Sequence, residues 1–258
     1  MNYKEMFLKG IMPDIKIYDV HGHIGTFNGT NRFNTDYKSV IDAMERNKVK
    51  ITAISSADAI GGDLIRGNDE VVDAVNNSSG KLMGYITVNP LCEKGLIEEI
   101  VRLENKNMCG IKYHPSYSKT PVNDKIMQEC LAYINEKELV FLVHAYAKPE
   151  IIETEEMIKK FPNIKFIIAH SGTQTGYKLT AEVIKKYENA YCDISMSMPR
   201  ANMLEHLVNY GDENKVMFGS DTPLTDPSVQ IGRILLADIS DGAKEKILGK
   251  KFLNLFNV

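Results

Sequence analysis

A repeated alternation of short apolar runs with longer helical stretches is the feature of this sequence that most limits its fold. Eight runs are rich in Ile, Val, Phe and Tyr and have the length of buried strands. They span 16–20, 50–56, 82–88, 109–113, 139–143, 164–169, 190–195 and 215–219. The stretches between them space apolar residues three and four positions apart, as in helices that cover a core. They span 36–47, 68–78, 94–106, 124–137, 149–161, 180–188, 200–210 and 226–239.

Strands that alternate with helices predict a parallel sheet covered by helices. Eight such units favour an α/β fold of the (β/α)8 TIM-barrel type, with an open doubly wound sheet as the alternative. A chain of 258 residues is long enough for one such barrel, so we expect a single domain over residues 1–258. The last stretch, 247–256, predicts a short C-terminal helix packed on the outside.

Composition narrows the classes of partner. The formal net charge of -3 gives no electrostatic reason to expect nucleic acid or an anionic membrane as partner. No stretch approaches the roughly 18 apolar residues of a membrane span, and the first ten residues, MNYKEMFLKG, lack the long apolar segment of a secretory signal. The four cysteines form no CxxC pair, so we expect a cytoplasmic protein with reduced thiols. The expected partner is a small-molecule substrate, and a homo-oligomer stays open.

Polar side chains stand at the carboxyl ends of the predicted strands, where TIM-barrel enzymes have their active sites. His21 and His23 end the first strand, and Lys112 and His114 end the fourth. Residues two apart on a strand share a face, so each pair can point into the barrel mouth. A lysine there needs an anionic partner, which would be a substrate carboxylate, a ligand aspartate or its own carboxylation product. The alternative is that the Lys112 side chain extends to solvent.

Three more strand ends carry candidate ligands. His144 and His170 end the fifth and sixth strands, and Asp221 follows the eighth. Five of the six histidines thus lie at strand ends, whereas His206 lies in a predicted helix. A catalytic divalent site needs about three to five nitrogen or oxygen ligands and an open position for water. Arg200, after the seventh strand, is a candidate for binding an anionic substrate, although a solvated residue in a helix is an equally good interpretation.

Taken in order, these motifs resemble the amidohydrolase superfamily of metal-dependent hydrolases, in particular its amidohydrolase-related (amidohydrolase 2) branch. They are DVHGH at 19–23, GIKYHP at 110–115, LVHA at 142–145, IAHSG at 168–172 and FGSDTP at 218–223. The resemblance implies that His21, His23, His144 and Asp221 hold a divalent metal, most often Zn²⁺, and that Asp221 is also the general base. His170 would bind a second metal or act on the substrate. One ion is favoured, and a second ion bridged by a carboxylated Lys112 stays open.

The predicted reaction is hydrolysis of an ester, lactone or amide carbonyl by a metal-activated water, with Lys112, His114 and Arg200 binding a small anionic substrate. The alternative is non-oxidative decarboxylation on the same ligands, because nothing in the ligand set separates the two reactions. A binding module without activity is a third hypothesis, against which the complete ligand set argues. The two longest strand-end loops, 25–36 and 56–68, are rich in Gly and Asn and are predicted to be mobile lids.

Overall fold

The computed structural model describes residues 1–27, 35–92, 95–195 and 201–258, and it contains one sheet of eight parallel strands. Each strand pairs with the next strand of the chain, so the order in the sheet follows the sequence. All eight predicted strands are present, with ends that differ by a few residues. The strands are β1 (Ile17–Ile24), β2 (Val49–Ser56), β3 (Leu82–Val88), β4 (Met108–Tyr113), β5 (Val140–His144), β6 (Lys165–Ala169), β7 (Ala190–Asp193) and β8 (Val216–Met217).

The first and last strands of this order meet through backbone hydrogen bonds. The amide of Val20 donates to the carbonyl of Phe218 at 3.0 Å, and the amide of Asp221 donates to the carbonyl of His21 at 2.8 Å. The sheet is therefore a nearly closed barrel, and the predicted (β/α)8 fold is confirmed. The open doubly wound alternative is wrong, because it would require the strand order to reverse.

Helices follow the strands and cover the barrel. Many begin at a side-chain cap; the Asp36 carboxylate, for example, accepts from the amide of Ser39 at 2.9 Å. Within the described ranges, no helix combines the length and the apolar character that crossing a membrane requires. The helices are α1 (Tyr3–Leu8), α2 (Tyr37–Arg46), α3 (Ala57–Gly61), α4 (Leu64–Asn77), α5 (Leu96–Leu103), α6 (Pro115–Ser118), α7 (Lys125–Glu136), α8 (Lys148–Lys160), α9 (Thr173–Lys186), α10 (Met203–His206), α11 (Pro227–Leu236), α12 (Asp241–Glu245) and α13 (Lys251–Phe256).

The segment 56–68, predicted as a lid loop, is mostly helical. The Ser56 hydroxyl accepts a hydrogen bond from the amide of Ala59 at 3.2 Å and begins α3, and α4 starts at Leu64. Gly62 ends α3 with a positive φ of 117°, which glycine adopts without strain. Gly61 and Gly62 thus mark a turn between two helices, and Gly67 lies within α4. Most of the other predicted lid, 25–36, lies outside the described residues.

The C-terminal helix α13 closes the N-terminal end of the barrel. Its Phe252 stacks on Tyr18, near the start of β1, with ring centroids 5.4 Å apart. Phe252 and Leu255 are buried in the same apolar cluster as Tyr85 and Leu142, which come from the strands. The prediction that this helix packs on the outside is wrong, because its apolar side chains cover the open end of the barrel interior.

Candidate metal centre

A cavity of about 270 Å³ opens at the carboxyl ends of the strands. All the predicted site residues that lie within the described ranges line it, namely His21, His23, Lys112, His114, His144, His170 and Asp221. Arg200 lies outside the described residues. His206 lies at the end of α10, where its ring stacks on Tyr210 with centroids 4.9 Å apart, so it belongs to the helical layer as predicted.

His21, His23 and Asp221 converge on one side of the cavity. The Asp221 Oδ1 atom lies 3.0 Å from His23 Nε2 and 3.5 Å from His21 Nε2, and the two Nε2 atoms lie 3.2 Å apart. All three side chains are buried. Burial opposes ionisation of Asp221, but the histidines outweigh it and hold the pKa of this carboxyl below its ordinary value. Two imidazoles and an ionised carboxylate form a donor set that suits zinc and related divalent metals.

The backbone of β1 and of the segment after β8 brings these ligands together. Gly22 separates the two histidines at a close approach, where a Cβ atom would lie 2.7 Å from the methyl group of Thr52. The buried Asp19 carboxylate accepts from the amides of His21 and Ser220, both at 3.0 Å. Burial raises the pKa of Asp19 to about 7. Asp19 therefore connects β1 with the segment after β8, the two parts of the chain that carry the ligands.

Lys112 reaches the same side from β4. Its side chain is completely buried, and its Nζ atom lies 2.9 Å from His21 Nε2. The alternative that this side chain extends to solvent is therefore wrong. Burial lowers the pKa of Lys112 to about 8, although the charges of Asp221 and Asp193 act against this shift. The amine is thus held beside the candidate ligands in a position to meet an anion in the cavity.

His114, His144 and His170 form the other side of the cavity. The rings of His114 and His144 stack with centroids 3.7 Å apart and an interplanar angle of 17°. The Nδ1 atom of His144 lies 3.0 Å from His170 Nε2. Burial lowers the pKa of His114 and of His144 well below the ordinary value, so both rings are neutral at pH 7 and keep a lone pair for a metal or a substrate.

The candidate ligand atoms are not all equally close to one another. In the described part of the chain, two groups of three have ligand atoms that all lie within 4.8 Å of one another. One group is His21, His23 and Asp221, and the other is His21, His170 and Asp193. His144 lines the same cavity but belongs to neither group.

The sequence analysis missed Asp193 and Ser195, at the end of β7. Asp193 Oδ2 lies 2.9 Å from His21 Nδ1, and the Ser195 hydroxyl oxygen lies 2.9 Å from the same nitrogen. Burial would raise the pKa of Asp193, but the His21 imidazole outweighs it and holds the pKa below its ordinary value. The signal was present in the segment AYCDIS, where the two polar residues are two apart at a strand end, as His21 and His23 are.

Aromatic side chains that the sequence analysis also missed line the walls of the cavity. Phe27 packs edge-on against His23 with centroids 5.0 Å apart, and Tyr146 lies 4.5 Å from the ring of His170. Tyr117, on α6, lies 4.7 Å from the His114 ring. These three residues come from the segments after β1, β4 and β5, so only the closed barrel brings them together.

Solved structures with the same fold include enzymes of two reaction classes. A 2,6-dihydroxybenzoate decarboxylase complexed with 2,6-dihydroxybenzoate is 12% identical, with a TM-score of 0.76, over 95% of this chain and 100% of that one. A probable 2-pyrone-4,6-dicarboxylic acid hydrolase from Acinetobacter baumannii, with citric acid bound, is 16% identical, with a TM-score of 0.73, over 95% and 100%. A 5-carboxyvanillate decarboxylase from Novosphingobium aromaticivorans, with bound manganese, is 11% identical, with a TM-score of 0.76, over 95% and 98%.

At these identities the likeness to solved structures shows the fold alone. A search among curated proteins found no match. The sequence does match the family described as Amidohydrolase over residues 18–251, which is most of the chain and includes every candidate ligand. The chain therefore belongs to the amidohydrolase family.

Proposed function

We propose that this chain is a metal-dependent hydrolase that acts on an ester, lactone or amide carbonyl of a small anionic substrate. The observation that supports this most is the convergence of His21, His23 and Asp221 at the mouth of the barrel, beside a cavity that Lys112 also lines. The amidohydrolase family is metal-dependent and includes hydrolases and decarboxylases, so membership supports an enzyme of one of these two classes.

In this proposal His21, His23, His144 and Asp221 hold one divalent cation. The donor set fits such an ion. The three imidazoles are neutral, because their pKa values lie below the ordinary range, and the ionised carboxylate supplies a negative charge. We propose that the ion is Zn²⁺. Because one structural neighbour contains manganese, the experiment below tests both metals. The alternative is a second ion bridged by a carboxylated Lys112.

When bound, a divalent cation would lower the pKa of a water molecule to about 7 and polarise a carbonyl group. Asp221 would accept a proton from the attacking water, because its carboxylate stays ionised and its Oδ1 faces both histidines of β1. His170 would act on the substrate as an acid or base through its Nε2 atom, which can take up a proton and then release it to the leaving group. Lys112 and His114 would bind the anionic group of the substrate. Arg200 would be a third anion-binding residue, as the sequence predicts.

A second candidate function is non-oxidative decarboxylation with the same ligands. The observation that favours it is the set of aromatic walls, because Phe27, Tyr117 and Tyr146 suit a flat ring as substrate. In that reaction Lys112 would bind a carboxylate, and a proton would be delivered to the carbon that loses CO₂. Two of the structural neighbours described above are decarboxylases of aromatic carboxylates.

Metal analysis and product analysis together test the proposal. The purified protein is loaded with Zn²⁺ or Mn²⁺, and metal content per chain and intact mass under non-acidic conditions are measured; carboxylation of Lys112 would show as added mass. Lactones, esters, amides and hydroxybenzoates are then tested as substrates in oxygen-18 water. Hydrolysis incorporates oxygen-18 into the organic product, whereas decarboxylation releases CO₂ and leaves the organic product without oxygen-18.

The matched variants are Asp221→Asn, within the ligand set, and His206→Gln, outside the cavity. We expect turnover to be lost in the first variant and kept in the second. Release of CO₂ with no oxygen-18 in the organic product would replace hydrolysis by decarboxylation. A preparation that binds no divalent metal, or turnover that survives Asp221→Asn, would overturn both functions.

A further inference from the structure

The side of His21 that faces away from the cavity is surrounded by a small hydrogen-bonded network from β7. Asp193 and Ser195 supply its polar atoms, and both are completely buried. The Asp193 Oδ1 atom accepts from the amide of Ser195 at 2.9 Å and from the amide of His170 at 3.1 Å. The Ser195 hydroxyl also donates to this oxygen, at 2.5 Å. The network therefore links three strand ends of the barrel.

The donors of this network determine which imidazole nitrogens carry a proton. A carboxylate that receives two backbone amides and a hydroxyl acts as an acceptor, so the one proton of the Ser195 hydroxyl is used in its bond to Asp193. The same hydroxyl oxygen lies 2.9 Å from His21 Nδ1 and 3.0 Å from His170 Nδ1. It can only accept from them, so both Nδ1 atoms must carry hydrogen.

Two further contacts lead to the same assignment independently. The Asp193 Oδ2 atom lies 2.9 Å from His21 Nδ1, and a carboxylate oxygen accepts. The backbone carbonyl of Ser195 lies 3.0 Å from His170 Nδ1, and a carbonyl oxygen also accepts. A neutral imidazole with hydrogen on Nδ1 has its lone pair on Nε2. The lone pair of His21 therefore points to the side of His23 and Asp221.

The assignment extends one residue further, to β5. His170 Nε2 lies 3.0 Å from His144 Nδ1, and a neutral His170 ring with its proton on Nδ1 can only accept there. His144 Nδ1 must then donate, which leaves His144 Nε2 with a lone pair. The imidazoles from β1, β5 and the turn after β6 thus all carry hydrogen on Nδ1, and the chain of contacts that fixes this tautomer begins at Asp193 and Ser195.

We infer that Asp193 and Ser195 are positioning residues that hold His21, His170 and His144 in the tautomer with hydrogen on Nδ1. The consequence for metal binding rests on the proposed function: in this tautomer, His21 and His144 present Nε2 lone pairs to a metal. Partners of this kind fix the orientation of ligating histidines and make them better ligands. Gly219 makes room for the pair, since a Cβ atom there would lie 3.0 Å from the Asp193 carboxyl carbon and 3.1 Å from His21 Cβ.

The direct test measures tautomers in the metal-free wild-type protein. Nitrogen-15 spectra of labelled histidine distinguish a protonated ring nitrogen from one with a lone pair. The signals are assigned by conservative single variants of the six histidines, with His206→Gln as the reference outside the network. We expect His21, His144 and His170 to carry hydrogen on Nδ1. Hydrogen on Nε2 in place of Nδ1 in any of these three rings would overturn the inference.

Two variants test the consequence for metal binding. Asp193→Asn removes the charge that the His21 imidazole contacts, and Ser195→Ala removes the hydroxyl between the two rings. We expect Asp193→Asn to weaken Zn²⁺ binding by about 10- to 100-fold and Ser195→Ala by less. Asp212 precedes β8 and therefore lies at the end of the barrel opposite the cavity. Asp212→Asn is the matched control and should leave Zn²⁺ affinity unchanged. Unchanged Zn²⁺ affinity in a folded Asp193→Asn protein would overturn the inference.

The two failures are distinguishable. If the wild-type protein binds no divalent metal, the proposed function fails, while the tautomers measured in the metal-free protein still decide the role of Asp193 and Ser195. If Asp193→Asn does not fold, the wild-type spectra alone decide.

Discussion

The two sides of the cavity are built differently. On the side of β1 and β8, His21 and His23 face the carboxylate of Asp221 at 3.5 Å and 3.0 Å. On the side of β4 to β6, His114 stacks on His144, and His144 contacts His170. The first side has an ionised group at its centre, whereas the second consists of imidazole rings in contact with one another.

This difference separates two tasks. A carboxylate between two imidazoles provides the charge and the convergent lone pairs that a divalent metal requires. Stacked rings whose pKa values are lowered by burial stay neutral. In the proposed function, His144 would complete the ligand set and His114 would contact the substrate, and neither would add positive charge next to the metal. We therefore expect changes on the first side to abolish metal chemistry, and a change at His114 on the second side to alter substrate binding more than metal binding.

The largest effect is expected from Asp221→Asn. The amide cannot accept a proton and removes the charge between His21 and His23, so kcat should fall by about 10²- to 10⁴-fold. The measurement is steady-state turnover on the substrate found by the product assay, at a metal concentration that saturates the variant. A loss smaller than tenfold would show that this carboxylate is not the general base.

The second prediction compares one histidine from each side. His23→Ala should weaken Zn²⁺ binding by more than about 100-fold, because His23 Nε2 lies 3.0 Å from Asp221 Oδ1. His170→Ala should weaken it by no more than about 10- to 100-fold, because His170 Nε2 faces His144 and acts on the metal only through that ring. Chelator competition measures both dissociation constants. Equal losses would remove the distinction between the two sides.

The third prediction concerns Lys112 and the pH dependence of stability. Burial lowers its pKa from 10.5 to about 8 in the folded metal-free protein. Between these two values the unfolded chain binds more protons than the folded one, so the free energy of unfolding should rise with pH across this window. The slope from this group is at most about 1.4 kcal/mol per pH unit. Denaturant unfolding of metal-free protein at several pH values measures it.

Lys112→Met is the matched variant for this experiment. It keeps a long apolar side chain without the amine, so the rise in stability between pH 8 and 10.5 should become flatter. If the free energy of unfolding had the same slope against pH in the wild-type protein and in the variant, the pKa of Lys112 would not be lowered. This result would mean that an anion pairs with Lys112 in the cavity.

The smallest effect is expected from His114→Phe. A phenyl ring keeps the stack on His144 but removes both nitrogens, so the metal site should stay intact while a hydrogen bond to the substrate is lost. KM should rise by about two- to tenfold with little change in kcat. The measurement is the pair kcat and KM, with Zn²⁺ affinity as the control. A large fall in Zn²⁺ affinity would instead place His114 among the groups that build the metal site.

The sequence predicted the barrel well because its signal is repeated eight times. Each apolar run and each helical stretch is short-range evidence, and parallel strands joined by helices have few ways to pack. The same logic located the strand ends, and thereby His21, His23 and Asp221. It failed for α3, because the Gly-rich composition does not show that Ser56 caps a helix there. It also failed for α13, because an apolar helix pattern does not show which part of the barrel the helix covers.

The sequence by itself determined the fold class, the family and the histidines, Lys112 and Asp221 at the mouth of the barrel, because all of these depend on local periodicity and on short motifs. Only the tertiary structure decided which residues touch. It brought Asp193 and Ser195 to the far side of His21, buried Lys112 against the same ring and left His144 beside His170. The physical reason is that these contacts join strands far apart in the chain, and their distances follow from the closure of the barrel, which no local pattern encodes.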